Sequence, residues 1–244
     1  RQMCIRDSGG GIVKSVTQTR QSSFEELVKS GLRRLDSMVR FGVTTIEGKS
    51  GYGLDFDTEI KQLKVMKKMN QMHDIDIITT FLGPHAVMPE DKGKEKEVIQ
   101  WINNEVLPFV KKENLAEFVD IFTEKNVFEL EESREYLKKA SELGFKIKMH
   151  ADEIFPLGGA ELAAEFGATS ADHLLKVSDK GIQMMKENNV IATLLPLTAF
   201  SLKEEYARAR DMIDSGLAVA LATDLNPGSC FSESIPLVLS LIHI

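Results

Sequence analysis

Four apolar runs in this sequence end in residues able to bind a metal ion or move a proton: 81–85 (FLGPH), 147–153 (IKMHADE), 170–173 (SADH) and 221–224 (LATD). A histidine at the end of an apolar run is a natural ligand for a borderline metal. A carboxylate three residues further on reaches the bound water without ligating, and His150 and Glu153 have that relation. Asp224 closes the apolar run 218–223 (AVALAT), where a buried carboxylate is costly unless a cation meets it. His173 follows Asp172 at another run's end. Taken singly, each has an ordinary explanation: a core histidine, a turn-capping aspartate, a His–Asp hydrogen bond. Their recurrence at the ends of separate runs points to one shared site.

Two further residues sit after such runs. His85 follows the rigid turn Gly83-Pro84 and suits a substrate contact better than a ligand. Tyr52 lies in the glycine-rich stretch 48–53 (GKSGYG), which can bring backbone close to a ligand but lacks phosphate-loop spacing. The glycine clusters 9–11 and 158–159 match no dinucleotide fingerprint. His73 ends a charged helix and is expected at the surface. Met66, Met69 and Met72, three apart, are expected to be a packing stripe, and 204–210 (EEYARAR) a solvated helix face.

The elements that must position these residues are legible in outline. Seven short runs rich in Val, Ile, Thr and Phe, at 43–47, 75–81, 118–122, 145–150, 169–173, 190–195 and 218–223, are nearly continuous in apolar character. Strands buried on both faces read this way. Between them lie helical patterns: one opening on Ser22-Ser23-Phe24-Glu25-Glu26, with two overlapping capping boxes, then 57–73, 94–112, 131–143, 158–166, 178–188 and 202–215. Gly144 is placed to end the fourth of these. Strand–helix alternation implies a parallel sheet with right-handed crossovers. The expected fold is α/β, a (β/α)8 TIM-type barrel of the metal-dependent hydrolase kind, truncated to about seven strand–helix units. An open doubly wound sheet is the rival, but it concentrates chemistry at one switch point.

With 43% hydrophobic residues, 244 residues can bury one large core. The net charge of −7, without a Lys/Arg-rich block, gives no reason to expect nucleic acid or an anionic membrane as partner. No apolar run approaches the roughly 20 residues of a membrane span. Cys4 and Cys230, far apart and without metal spacing, favour a reducing cytoplasm over a disulfide framework. Residues 1–8 (RQMCIRDS) and 241–244 (LIHI) are expected to be junction sequence around a partial barrel at 9–240, so Cys4 and His243 receive no functional weight.

Five segments together resemble the amidohydrolase superfamily of metal-dependent barrel hydrolases: 47–55 (EGKSGYGLD), 80–87 (TFLGPHAV), 148–153 (KMHADE), 171–174 (ADHL) and 223–230 (TDLNPGSC). Within it, the chain is similar to the members that open an imidazolone ring in histidine degradation, from about Gly9 to Leu239. The resemblance implies one Zn2+ or Fe3+ per subunit, with His150 and Asp224 as metal ligands. Glu153, His173 and Asp224 would be catalytic. Tyr52, His85, Glu153, Asn226, Gly228 and Ser229 would bind substrate. The implied substrate is the small molecule 4-imidazolone-5-propanoate, hydrolysed by a metal-activated water to N-formimidoyl-L-glutamate, and the resemblance allows a homodimer. The alternatives are another cyclic amidase or deaminase on the same barrel, or a non-catalytic barrel fragment. Three family features have no counterpart: a His-x-His pair giving two more ligands, a substrate-gripping arginine, and a small β-sandwich. The chain is therefore expected to be truncated at both ends and inactive by itself, because a catalytic zinc needs three protein ligands. Lys125 lies two residues past Thr123 rather than at the strand's end, which favours one metal over a bridged pair.

Overall fold

The computed structural model describes residues 12–242, so the expectations for residues 1–8 with Cys4, for the glycines at 9–11, and for His243 fall outside the described residues. All seven apolar runs form strands, within two residues of their expected places. They are β1 (Thr45–Lys49), β2 (Asp76–Phe81), β3 (Phe118–Val119) with β4 (Phe122–Thr123), β5 (Lys146–Ala151), β6 (Ser170–His173), β7 (Ile191–Leu194) and β8 (Val219–Leu221). The run at 118–122 is one strand position in two pieces, parted at Asp120-Ile121. Every pairing is parallel, in the order β1-β2-β3-β5-β6-β7-β8, and β4 also pairs with β5. Sequence order is kept across the sheet with no reversal, which rules out the doubly wound alternative and leaves the curled sheet of a partial barrel. Among the described residues no pairing joins β8 to β1.

The helices begin and end where local chemistry dictates. After α1 (Ile12–Gln21), α2 (Phe24–Val39) opens on a capping box. The Ser23 hydroxyl accepts the Glu26 N–H at 3.2 Å, and the Glu26 carboxylate accepts the Ser23 N–H at 2.8 Å. Asp55 caps α3 (Phe56–Asn70) by accepting the Thr58 N–H at 2.7 Å. The segment expected at 94–112 divides into α4 (Glu95–Trp101), a π-helical turn (Ile102–Val106) and α5 (Leu107–Lys112). Pro108 has no N–H to continue the ladder, which accounts for the break. α6 (Leu130–Glu142) ends at Gly144, in the left-handed region at φ +70°. α7 (Gly159–Glu165) and α8 (Asp179–Glu187) follow as expected.

Three expectations need correction. The helix at 202–215 is instead α9 (Pro196–Leu202) and α10 (Ala209–Asp214), joined by an irregular stretch. Lys203 takes φ +60° and the Glu204 N–H bonds back to Ala199, closing α9, so 204–208 is no helix face. Arg208 then binds the Val177 carbonyl at 3.1 Å and Asp179 at 2.8 Å, which holds the stretch in its irregular course. His73 is not a surface residue: its Nδ1 accepts the Ile75 N–H at 3.0 Å and shapes the turn into β2. Met66 and Met69 are buried, but Met72 is 53% exposed, so the stripe packs through two of its three members. At the end of the described chain α11 (Ile235–Ile242) buries Val238 and Leu241 against Leu197 and Cys230.

The core lies between the sheet's convex face and the helices, where Leu63, Phe81, Ile121, Phe128, Leu137 and Met149 are fully enclosed. Tyr136 is the largest of these buried side chains, and its hydroxyl has no hydrogen-bond partner among the described residues. An unpaired buried hydroxyl opposes folding by about 1–3 kcal/mol. Tyr136→Phe is therefore expected to leave stability unchanged or raise it, measured as the urea midpoint. A clear loss of stability would show that the hydroxyl has a partner.

Candidate active site

The sheet's concave face is charged. Side chains alternate across a strand, so Glu47 and Lys49 of β1 share a face, as do Lys148 and His150 of β5. The Lys49 ammonium lies 2.5 Å from Asp120, 2.8 Å from Asp172 and 3.4 Å from Glu47. Lys148 meets the other Glu47 oxygen at 2.7 Å, and the Thr80 hydroxyl donates to Glu47 at 2.5 Å. Asp120 sits in the gap between β3 and β4 with no solvent exposure. Burial alone would raise both aspartates' pKa, but His150 and Lys49 hold Asp120 well below the carboxylate range, and Lys49 holds Asp172 below it.

Asp120 also fixes His150. One carboxylate oxygen accepts the His150 backbone N–H at 3.2 Å and lies 3.1 Å from Nδ1. A carboxylate can only accept, so Nδ1 carries the proton and Nε2 is left free toward the strand ends. Burial would lower the His150 pKa, but the charge and hydrogen bond of Asp120 lift it above its ordinary value.

From His150 a series of rings runs along the strand ends. His173 is 5.1 Å away between ring centroids and His85 is 6.0 Å away, with Phe122 beside both His150 and His85. Tyr52 packs edge-on against His85 at 5.1 Å. Glu153 reaches His173 Nε2 at 3.6 Å. His85 Nδ1 donates to the Gly51 carbonyl at 2.9 Å, leaving Nε2 as an acceptor. Burial, then the neighbouring His150, pulls the His85 pKa down to about 4. Burial, then Asp224, pushes the Tyr52 phenol well above its ordinary value, so it stays a proton donor.

Backbone strain gathers at the same rim. Asp152, His173, Leu174 and Asp224 have φ of 49°, 75°, 59° and 52°, a region unfavourable for residues with a side chain. At Asp152 the compensation is visible. Its carboxylate accepts the N–H groups of Gly158, Gly159 and Ala160 at 2.9, 3.1 and 2.9 Å, clamping the turn that carries Glu153 onto the start of α7.

Tyr52, His85, His150, Glu153 and His173 thus form one contiguous group. Asp224 is near enough for its charge to act on Tyr52 and His85, and its carboxylate accepts the Thr198 hydroxyl at 2.7 Å. The remaining candidates are occupied within their own loop. Asn226 accepts the Gly228 and Ser229 N–H groups at 2.9 and 2.7 Å and donates to the Asp224 carbonyl at 2.8 Å and the Ser229 hydroxyl at 2.9 Å. Their visible work is to shape the turn that carries Asp224.

Sequence reasoning passed over Glu47, Lys49, Asp120, Lys148 and Asp172. A signal existed: charged residues inside strands buried on both faces must find opposite charges. Asp120, His150 and Asp172 place donor atoms within 4.8 Å of one another, a grouping that could hold a metal ion. Lys49 already pairs with both of its carboxylates. His150 fits a metal ligand better through Nε2, with a carboxylate behind its other nitrogen, a usual support for a metal-binding histidine. Asp224 keeps one carboxylate oxygen not engaged by Thr198. These two donors fall short of the three a catalytic zinc requires.

A curled parallel sheet in sequence order, with histidines and carboxylates at its strand ends, is a partial α/β barrel. Solved structures share this fold: a 5-methylcytosine deaminase from Klebsiella pneumoniae (TM-score 0.68, 16% identity, 94% of this chain and 62% of that one), and an adenine deaminase from Arthrobacter aurescens (0.68, 13%, 94% and 72%). An amidohydrolase from B. ambifaria, solved with bound Zn, is similar at TM-score 0.67 and 15% identity over 91% of this chain and 63% of that one. No protein-family model matches the chain. Curated relatives are far more similar in sequence: imidazolonepropionases of Clostridium tetani (61% identity, 99% of this chain) and Phocaeicola vulgatus (60%, 99%). The chain is similar to these imidazolonepropionases over nearly its whole length, and it spans 58% and 59% of the length of the two relatives.

Two outcomes are expected from the geometry. Lys49→Met leaves Asp120 and Asp172 buried without their cation, which should cost about 3–5 kcal/mol in urea denaturation. A loss below about 1 kcal/mol would mean other groups carry those charges. The histidine resonances should place the His85 midpoint near pH 4. The unfolded chain takes up that proton from about pH 6.5. Stability should therefore fall as pH drops from there toward 4. A His85 midpoint near the unfolded value would contradict its burial.

Proposed function

We propose that the protein containing this chain hydrolyses the cyclic amide 4-imidazolone-5-propanoate to N-formimidoyl-L-glutamate. The observation that carries this is the convergence of Tyr52, His85, His150, Glu153 and His173 at one rim, in a chain about 60% identical to imidazolonepropionases over nearly its whole length. One Zn2+ or Fe3+ would be held by His150 and Asp224 with at least one further donor, supplying a water acidified toward neutrality.

The chain's own residues have separable tasks. Tyr52, a phenol at working pH, donates to a substrate oxygen. His85, neutral and with Nε2 free, accepts an N–H of the ring. Asp224 takes the proton of the attacking water. His173, oriented by Glu153, donates to the oxygen of the ring carbonyl as negative charge builds there. Return of the proton to the ring nitrogen, from Asp224 or Glu153, releases the amide C–N bond. Asn226, Gly228 and Ser229 hold the Asp224 turn beside the substrate. A cytoplasmic location is supported by Cys230, buried and unpaired.

The full-length enzyme should convert imidazolone propanoate to formimidoyl glutamate without releasing ammonia. Ammonia release from an aminated heterocycle, with no ring opening, would move the assignment to a deaminase. Asp224→Ala should lower kcat by at least about a hundredfold, in the range set by loss of an acid–base group. Tyr52→Phe should act mainly on KM. Near-normal kcat in Asp224→Ala would remove that residue from the proton pathway.

A further inference from the structure

The glycine-rich stretch between β1 and α3 closes around a carboxylate of its own. Glu59, in the first turns of α3, is 2% exposed. One of its oxygens accepts the N–H groups of Gly53 at 2.8 Å and Leu54 at 3.0 Å, and the other accepts the Gly51 N–H at 3.0 Å. Gln62 adds an amide donor at 3.2 Å. The Gly51, Gly53 and Leu54 N–H groups are thus committed to Glu59 and are not free to hold an anionic ligand. Two further ties fix the loop. Arg20 Nε donates to the Gly53 carbonyl at 2.8 Å, and the Ser50 hydroxyl accepts the Leu82 N–H at 3.0 Å.

Gly51, through the peptide groups on either side of its Cα, links this carboxylate to the rim. Its N–H goes to Glu59 and its carbonyl accepts His85 Nδ1 at 2.9 Å. Only glycine serves here: φ is +102°, and a Cβ would lie 2.6 Å from the Leu82 carbonyl oxygen and 3.0 Å from the His85 Cβ. Tyr52 is the next residue and packs on the same imidazole. Without the bond to Glu59 the Gly51 N–H would no longer fix this glycine's backbone torsions, and its carbonyl would be free to turn away from His85.

We propose that Glu59 is a positioning residue that sets Tyr52 and His85 in their substrate-binding geometry through the Gly51 backbone. This rests on the ring-opening function proposed above. The test uses the full-length enzyme with Glu59→Gln and Glu59→Ala. Leaving buried N–H groups unpaired should raise KM on the order of tenfold to a hundredfold with kcat little changed, and the Gln variant, which keeps one acceptor oxygen, should lose less. A fall in kcat in proportion to lost folded protein, at constant KM, would mean a merely structural role and would overturn the proposal. The His85 Nδ1–H resonance, sharp in the unsubstituted protein, should broaden or vanish in Glu59→Gln. If it is unchanged, the proposal fails. This readout stands even if the unsubstituted enzyme opens no imidazolone ring, an outcome that would instead reject the functional assignment. Hydrogen exchange covers the case in which neither variant folds. Strong protection of the Gly51, Gly53 and Leu54 amides in the unsubstituted protein supports the clamp, and exchange at the rate of a free loop overturns it.

Discussion

An ammonium group on the concave face of the sheet holds carboxylates from strand positions that are not neighbours. Backbone hydrogen bonds join each strand only to the next and leave the sheet free to open or curl. Lys49 on β1 reaches Asp120, between β3 and β4, and Asp172 on β6, while Lys148 on β5 reaches back to Glu47 on β1. These contacts span the curl and fix its radius. Such pairs add little net stability against an apolar filling, since desolvation offsets most of the Coulomb attraction. What they confer is specificity, because any other curvature leaves a buried charge alone.

The same brace sets the chemistry above it. Three carboxylates (Glu47, Asp120, Asp172) face two ammonium groups (Lys49, Lys148), so the interior carries one uncompensated negative charge. Asp120 passes that excess to His150, whose pKa is lifted against the effect of burial. The excess can be met by a proton on the imidazole or by a cation on its Nε2. A metal at that nitrogen replaces a proton that the cluster already attracts, so the charge balance beneath the rim favours occupation of the site. The ring contacts from His150 to His173 and His85, and from His85 to Tyr52, then carry this fixed point outward along the strand ends.

The fold was legible because strands enclosed on both faces need no polar alternation, and their apolar runs stand out against charged helices. Glycine and capping signals marked α2 and α6 for the same local reasons that form them. The stretch 202–215 was misread because α9 ends on Lys203 in the left-handed region, with no glycine to announce it. The rim residues Tyr52, His85, His150, Glu153 and His173 were found because each closes a run or lies just after one. Asp120 was hidden inside a run that reads as a single strand and is in fact two. Lys49 and Glu59 were hidden for another reason. Their partners are set by the curl and by backbone N–H groups, neither of which leaves a spacing in the sequence.

The interior brace also bears on how many metal ions the barrel can take. Asp120, His150 and Asp172 lie close enough to form a second cation site beneath the rim. To enter, a divalent ion would have to expel the Lys49 ammonium from between the two carboxylates, and that ammonium has only Glu47 left to meet it. A buried charge stripped of its partners costs several kcal/mol, and the incoming ion's own desolvation adds to that. Lys49 is a permanently attached cation that needs no capture from solution. Its presence keeps Asp120 paired with an ammonium and available to orient His150 through Nδ1.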